Sequence, residues 1–134
     1  MAYFSWSSDL AVGNSFIDED HKKLIDLINR LHDVMAKGDG RGHIGKVLES
    51  LIQYTLKHFE REEKEMDRIK YVGSIAHKKE HAKLVMEVSD LQKKFQGGNS
   101  MLTMSVSQFL KDWLINHISK TDKAFATAIK LSRA

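Results

Sequence analysis

The sequence predicts an all-α protein: an antiparallel up-down-up-down four-helix bundle with an N-terminal arm and a short C-terminal helix. Three observations predict it. Apolar residues recur at three- and four-residue steps through four long segments. The 134 residues contain no proline, and most of the glycine is gathered at breaks between those segments. In each segment the apolar stripe meets histidine or carboxylate at one end only, and that end alternates along the chain.

Residues 1 to 17 carry Tyr3, Phe4, Trp6, Leu10, Val12, Phe16 and Ile17 without helical spacing. They predict an ordered arm packed across a core, because a solvated tail would not be so aromatic. Asp18 or Asp20 is then the expected cap of the first helix. That helix has Leu24, Ile25, Ile28, Leu31 and Met35 on one stripe, with His21 one turn ahead, and Gly38-Asp39-Gly40-Arg41-Gly42 ends it. The second follows with Ile44, Val47, Leu48, Leu51 and Thr55, and its stripe continues into His58 and Glu62. The chain reverses at Tyr71-Val72-Gly73-Ser74. A third helix, from about Ser74 to Gln96, aligns His77, His81, Leu84, Val88, Leu91 and Phe95. After Gly97-Gly98-Asn99-Ser100 the fourth shows Leu102, Val106, Phe109, Leu110 and Trp113, then His117. Phe125 to Leu131 is patterned as one more helical piece, expected to dock on the outside.

Composition narrows the function classes. Hydrophobic residues at 42% and charged residues at 29% describe an ordinary globular mixture, long enough for one domain over residues 1–134. With no cysteine, disulfides, zinc–thiolate sites and cysteine-ligated iron–sulfur clusters are excluded. The net charge is +3, but the lysines are interleaved with acids, as in Lys57-His58-Phe59-Glu60-Arg61-Glu62-Glu63-Lys64. That pattern is a solvated helix face and not a nucleic-acid footprint. Met1 to Leu10 is no basic-then-apolar signal, and no long uncharged apolar run occurs, so no membrane insertion and a cytoplasmic setting are expected.

In an up-down-up-down bundle the four polar ends fall in one layer. It contains His21, His58, Glu62, His77, His81, His117 and Asp122. Residues four apart on a helix are offset by only about 40° and about 6 Å, so His58 with Glu62, and His77 with His81, can each aim two donors at one point. Any one of these side chains alone would be an ordinary core or surface residue. Together, five imidazoles and two carboxylates would be expensive to bury without a cation. They exceed one metal's needs, and their identity suits iron better than magnesium or zinc. Two octahedral ions offer about twelve positions; seven side chains, two of them bridging, and one bridging oxygen fill about eleven. One position stays open for a small ligand. His117 and Asp122 are the difficult pair, since five residues rotate by about 140° on an ideal helix. A locally widened turn, or the helix end, must bring Asp122 back. His32 lies about 16 Å along the helix from His21 and cannot share a metal; neither it nor His43 is assigned a role. Glu63 and Glu65 are read as solvated charges.

The ordered motifs His21, His58-Phe59-x-x-Glu62-Glu63, His77-x-x-x-His81 and His117-Ile118-x-x-x-Asp122 resemble the bacterial hemerythrins. Val12-Gly13, Ile17-Asp18, His21-Lys22-x-Leu24, Ile28-Asn29 and Trp113-Leu114 extend the resemblance from Trp6 to about Asp122. Val72 departs from it, since the family commonly has proline after the tyrosine of this turn. The resemblance implies two non-haem iron ions with a bridging oxide or hydroxide, and reversible dioxygen binding. By the same resemblance His77, His81 and His117 hold the filled iron, His21 and His58 the iron with the open position, and Glu62 and Asp122 bridge. Leu24, Phe59, Trp113 and Ile118 would line the oxygen pocket and exclude water. An oxygen carrier, store or delivery protein follows, not an enzyme, acting as a monomer with an oxygen-using enzyme or a redox partner. The alternatives are an oxygen, redox or nitric oxide sensor, and a di-iron oxidase or peroxidase. Oxygen-activating bundles use a more carboxylate-rich layer with Glu-x-x-His pairs, which favours binding here.

Overall fold

The computed structural model describes residues 3–37, 41–97 and 104–132. Its main elements are α1 (Ser15–Ala36), α2 (Arg41–Ile69), α3 (Ser74–Gln96), α4 (Met104–Asn116), a π-helical segment (His117–Asp122) and α5 (Lys123–Ser132). Among the described residues there is no strand. Helix α1 packs against α2 and α4, and α2 against α3, and side chains of all four helices meet in one core. The glycines at 38, 40 and 98, with Asp39, Asn99, Ser100 and Leu102, lie outside the described residues.

The first helix starts earlier than the apolar pattern indicates. Asn14 is its cap, accepting the Ile17 backbone N–H at 3.1 Å, while Asp18 accepts the Val12 N–H at 2.9 Å. Neither Asp18 nor Asp20 is the cap, and Phe16 and Ile17 belong to the first turn instead of the arm. The turn into the helix is made by Gly13 at φ 84°, a conformation that glycine adopts without penalty. This signal is local and does not register in the apolar period.

The interior of the bundle follows the stripes. Leu24, Ile25, Ile28, Leu31 and Val34 of α1 meet Leu48, Leu51 and Phe59 of α2, Leu84 and Val88 of α3, and Leu110 and Leu114 of α4 in one buried cluster. On α4 the fully inward line runs through Ser107, Leu110 and Leu114, with Val106, Phe109 and Trp113 half-buried beside it. The arm is ordered, as its aromatic content predicts. Phe4 is buried, and its backbone N–H and C=O are both bonded to the Asn29 side chain at 2.7 Å. Tyr3 stacks on His32 at 3.7 Å, and His32 Nδ1 meets Ser107 Oγ at 3.0 Å. His32 therefore seats the arm.

Helix α5 docks by one face on the end of the bundle, leaving its other face exposed. Phe125, Ala126 and Ile129 are buried with Ile17 and Met66 in a second cluster. It follows the π-helical segment without a break, so its apolar face closes the end of the bundle that holds the polar layer.

At the other side of this end, α2 stops at Ile69 because Lys70 turns left-handed at φ 54°. The Tyr71 N–H then bonds back to the Met66 carbonyl at 3.0 Å, a Schellman-type closure. Gly73 is required as well: a Cβ there would meet the Tyr71 ring at 2.8 Å. Val72 is fully exposed and its side chain contributes nothing to the turn. Lysine at a left-handed position is strained, so Lys70→Gly should raise stability by about 1 kcal/mol in urea unfolding. A variant weaker than the parent would contradict a strained cap.

Candidate metal centre

The layer is assembled by one end of each helix. His21 comes from the first turns of α1, His58 and Glu62 from the second half of α2, and His77 and His81 from the start of α3. His117 and Asp122 are the first and last residues of the π-helical segment. A π turn takes about one more residue than an α turn, so residues five apart return to the same face. The widening that the His117–Asp122 spacing demands is thus present, and both side chains point inward. All seven side chains are at most 2% exposed.

Their donor atoms converge. The Nε2 atoms of His77 and His81 lie 3.3 and 3.2 Å from Nε2 of His117. Asp122 reaches in two directions, with Oδ1 3.0 Å from His77 and 3.1 Å from His117, and Oδ2 2.8 Å from His21. Glu62 Oε1 lies 3.2 Å from His81 Nε2 and 3.6 Å from His58 Nε2. The donors fall into two groups whose atoms lie within 4.8 Å of one another: Glu62, His77, His81, His117 and Asp122, and His21, His58, Glu62 and Asp122. Glu62 and Asp122 belong to both.

The chemistry of this set fits a cation. His21 Nε2, His58 Nε2, and both oxygens of Glu62 and of Asp122 are buried without a hydrogen-bond partner, although several are within 3 Å of another polar atom. They point lone pairs at a common space instead of donating to one another. Adjacent ligands of an octahedral ion with bonds of about 2.1 Å are separated by about 3 Å, the spacing seen here. Without a cation the electrostatics conflict. Burial, reinforced by the charge of Asp122, pushes the Glu62 carboxyl well up. Burial also acts to raise Asp122, but the close His117, His21 and His77 rings outweigh it and hold it low. His77 is desolvated, yet the carboxylates of Asp122 and Glu62 beside it lift it to about 9. Burial, with His117 and His77 beside it, pushes His81 down to about 2.

Behind the layer stands a second set of residues that apolar periodicity does not reveal. Nδ1 of His58 bonds Asp20 Oδ2 at 2.8 Å, Nδ1 of His81 bonds Glu63 Oε2 at 2.9 Å, and Nδ1 of His117 bonds Glu80 Oε1 at 2.9 Å. Thr121 donates to Glu80 at 2.8 Å. Each carboxylate favours the tautomer with hydrogen on Nδ1 and the Nε2 lone pair inward. Glu63 is therefore not a solvated charge. Its side chain sits at the rim of the α2–α3 seam, one-third exposed, where a stripe-based reading assigns residues to solvent. Rings hold the imidazoles too: Phe59 stacks on His81 at 3.7 Å and Trp113 on His117 at 4.4 Å. His43 is exposed in the first turn of α2, far down the helix from the layer.

Next to the layer lies a cavity of about 40 Å³, walled by apolar side chains including Leu24, Phe59, Leu84, Trp113 and Leu114. The one hydroxyl in its wall, that of Thr55, is turned to the Leu51 carbonyl at 2.7 Å. Ile118 is buried in the same core but does not line this space. The cavity is large enough for a small molecule and offers water no hydrogen bond.

Residues 12–129 match the family described as Hemerythrin HHE cation binding domain. The chain is 42% identical over 130 residues to the bacteriohemerythrin of Methylococcus capsulatus, covering 96% of this chain and 98% of that protein. It is 37% identical over 132 residues to the bacteriohemerythrin of Pseudomonas aeruginosa, covering 98% of this chain and 85% of that one. A solved wild-type hemerythrin superposes with a TM-score of 0.92 at 41% identity, covering 96% of this chain and 98% of its own.

A layer built to hold a cation should stabilise the chain when filled. Adding ferrous iron, without oxygen, to the metal-free protein at one hundred times its dissociation constant should stabilise it by about 2.7 kcal/mol. Thermal unfolding reads this directly, and an unchanged midpoint would contradict a cation site.

Proposed function

The chain belongs to the hemerythrin family, and from that premise we propose that its buried layer holds two non-haem iron ions joined by an oxide or hydroxide bridge. The chain binds dioxygen reversibly, as a carrier, store or delivery protein. In this reading His77, His81 and His117 hold one iron, His21 and His58 the other, and Glu62 and Asp122 reach both. What supports it is the division of the donors into two groups that share those two carboxylates. The first group then supplies five protein donors and the second four, so with the bridge the His21–His58 position is the one left open.

When bound, the iron supplies reversible electron donation and an open position for a small ligand. The chain's own residues do the rest. Glu62 and Asp122, both fully buried, would offset cationic charge there. Leu24, Phe59 and Trp113 supply an apolar wall beside the layer, and a wall of that kind slows the entry of water and protons that ends reversible binding. Ile118, buried to 1% exposure, packs in the same apolar core. The donor set is richer in imidazole than that of oxygen-activating bundles, which supports a binding protein over an oxidase or peroxidase. One domain, monomeric and cytoplasmic, serving an oxygen-using enzyme or exchanging electrons with a redox partner, completes the reading. Among the described residues no helix is long and apolar enough to cross a membrane.

Two experiments test the proposal. Purified protein should contain close to two irons and no haem, and its reduced form should take up and release dioxygen with little turnover. Saturation at one iron, or sustained oxygen consumption with a reductant, would count against it. Among variants, Glu62→Ala should leave at most one weakly held iron, since it removes a charge shared by both ions. Leu24→Ala touches no donor: it should keep both irons, oxidise faster in air, and lose about 3 kcal/mol of stability. Two irons and normal oxygen binding in Glu62→Ala would sink the bridging role.

A further inference from the structure

The five histidines of the layer are not held alike from behind. His81 and His117 are backed by Glu63 and Glu80, whose side chains are 33% and 45% exposed. His58 is backed by Asp20, whose side chain is 10% exposed. His21 and His77 have buried Nδ1 atoms without a hydrogen-bond partner. Of the two groups of donors, the one containing His21 and His58 therefore has a single outer carboxylate, and it is Asp20.

Asp20 is itself tightly held. Its Oδ1 accepts from the Tyr54 hydroxyl at 2.8 Å and from Arg61 Nη2 at 2.6 Å, and its Oδ2 accepts from His58 Nδ1 at 2.8 Å and Arg61 Nε at 3.2 Å. Tyr54, His58 and Arg61 are spaced four and three apart, so they form one stripe of α2 facing α1. Each of its oxygens is saturated, which leaves it one way to act on the layer: to hold the His58 ring with hydrogen on Nδ1 and the Nε2 lone pair inward.

The geometry points to Asp20, braced by Arg61 and Tyr54, as the positioning residue for His58 and so for one metal position only. It rests on the two-ion reading for its effect on metal, but not for its effect on the imidazole. The neighbouring group, with His77, His81 and His117, keeps two outer carboxylates of its own and does not depend on Asp20.

The test uses metal-free protein and cobalt(II) as the probe. In the parent chain, nitrogen-15 shifts should report His58 as the Nδ1–H tautomer, and calorimetry should count two equivalents of cobalt. Asp20→Ala should mix the His58 tautomers and weaken one equivalent by 10- to 100-fold, leaving the other within about threefold. Asp20→Asn, which keeps an acceptor but not the charge, should retain the tautomer and lose less affinity; Tyr54→Phe should lose least. Circular dichroism confirms that each variant folds. An unchanged His58 tautomer in Asp20→Ala, or equal weakening of both equivalents, would overturn the assignment. A parent chain that takes one equivalent would sink the two-ion reading instead, and the His58 shifts, measured without metal, would then decide the role of Asp20 by themselves.

Discussion

The burial of five imidazoles and two carboxylates in one layer is the constraint on which the rest of this bundle depends. Polar side chains removed from water destabilise a fold unless their lone pairs and protons find partners. Here several do not find them among one another, despite close approach. A cation supplies the missing partner for many lone pairs at once, which no rearrangement of the side chains could do. The other features of this end of the molecule are ways of holding those lone pairs at the right spacing.

Three devices do so. The π-helical segment places His117 and Asp122 on one face, and because Asp122 uses its two oxygens in different directions it joins the two halves of the layer. Outer carboxylates favour one tautomer of three histidines, from α1 behind α2, from α2 behind α3 and from α3 behind the π-helical segment. These bonds run between helices, so the same contacts that aim the imidazoles also hold neighbouring helices in register. The third device is α5 and the α2–α3 turn, where Phe125 sits 5.5 Å from the His77 ring and Tyr71 packs on Phe125 at 5.3 Å. They cover the end of the bundle with apolar rings and keep solvent from the layer.

The rest of the bundle is a conventional apolar core, and the division of labour is sharp. Packing of Leu, Ile, Val and Phe over four helices provides stability that does not depend on metal. It also leaves a small apolar space against Phe59 and Leu24, so the boundary between core and layer is where a gas molecule can be accommodated without water. Fold stability and ligand environment meet in the same residues.

Much of this was legible in the chain itself. A three- and four-residue apolar period, broken at one alternating end by histidine and carboxylate, specifies four helices and places His21, His58, Glu62, His77, His81, His117 and Asp122 in one layer, because helical geometry makes sequence spacing a spatial coordinate. Even the need for a widened turn between His117 and Asp122 follows from rotation per residue. What tertiary structure alone decided lies at boundaries and between helices. Asn14 replaces Asp18 and Asp20 as the cap because Gly13 bends the chain just before it. Helix α5 buries one face, through Phe125, Ala126 and Ile129, because the π-helical segment carries it over the bundle end. The pairing of Asp20 with His58, Glu63 with His81 and Glu80 with His117 has no period within one helix. Each of these carboxylates sits beside the apolar stripe, and only the approach of a second helix brings it to a histidine.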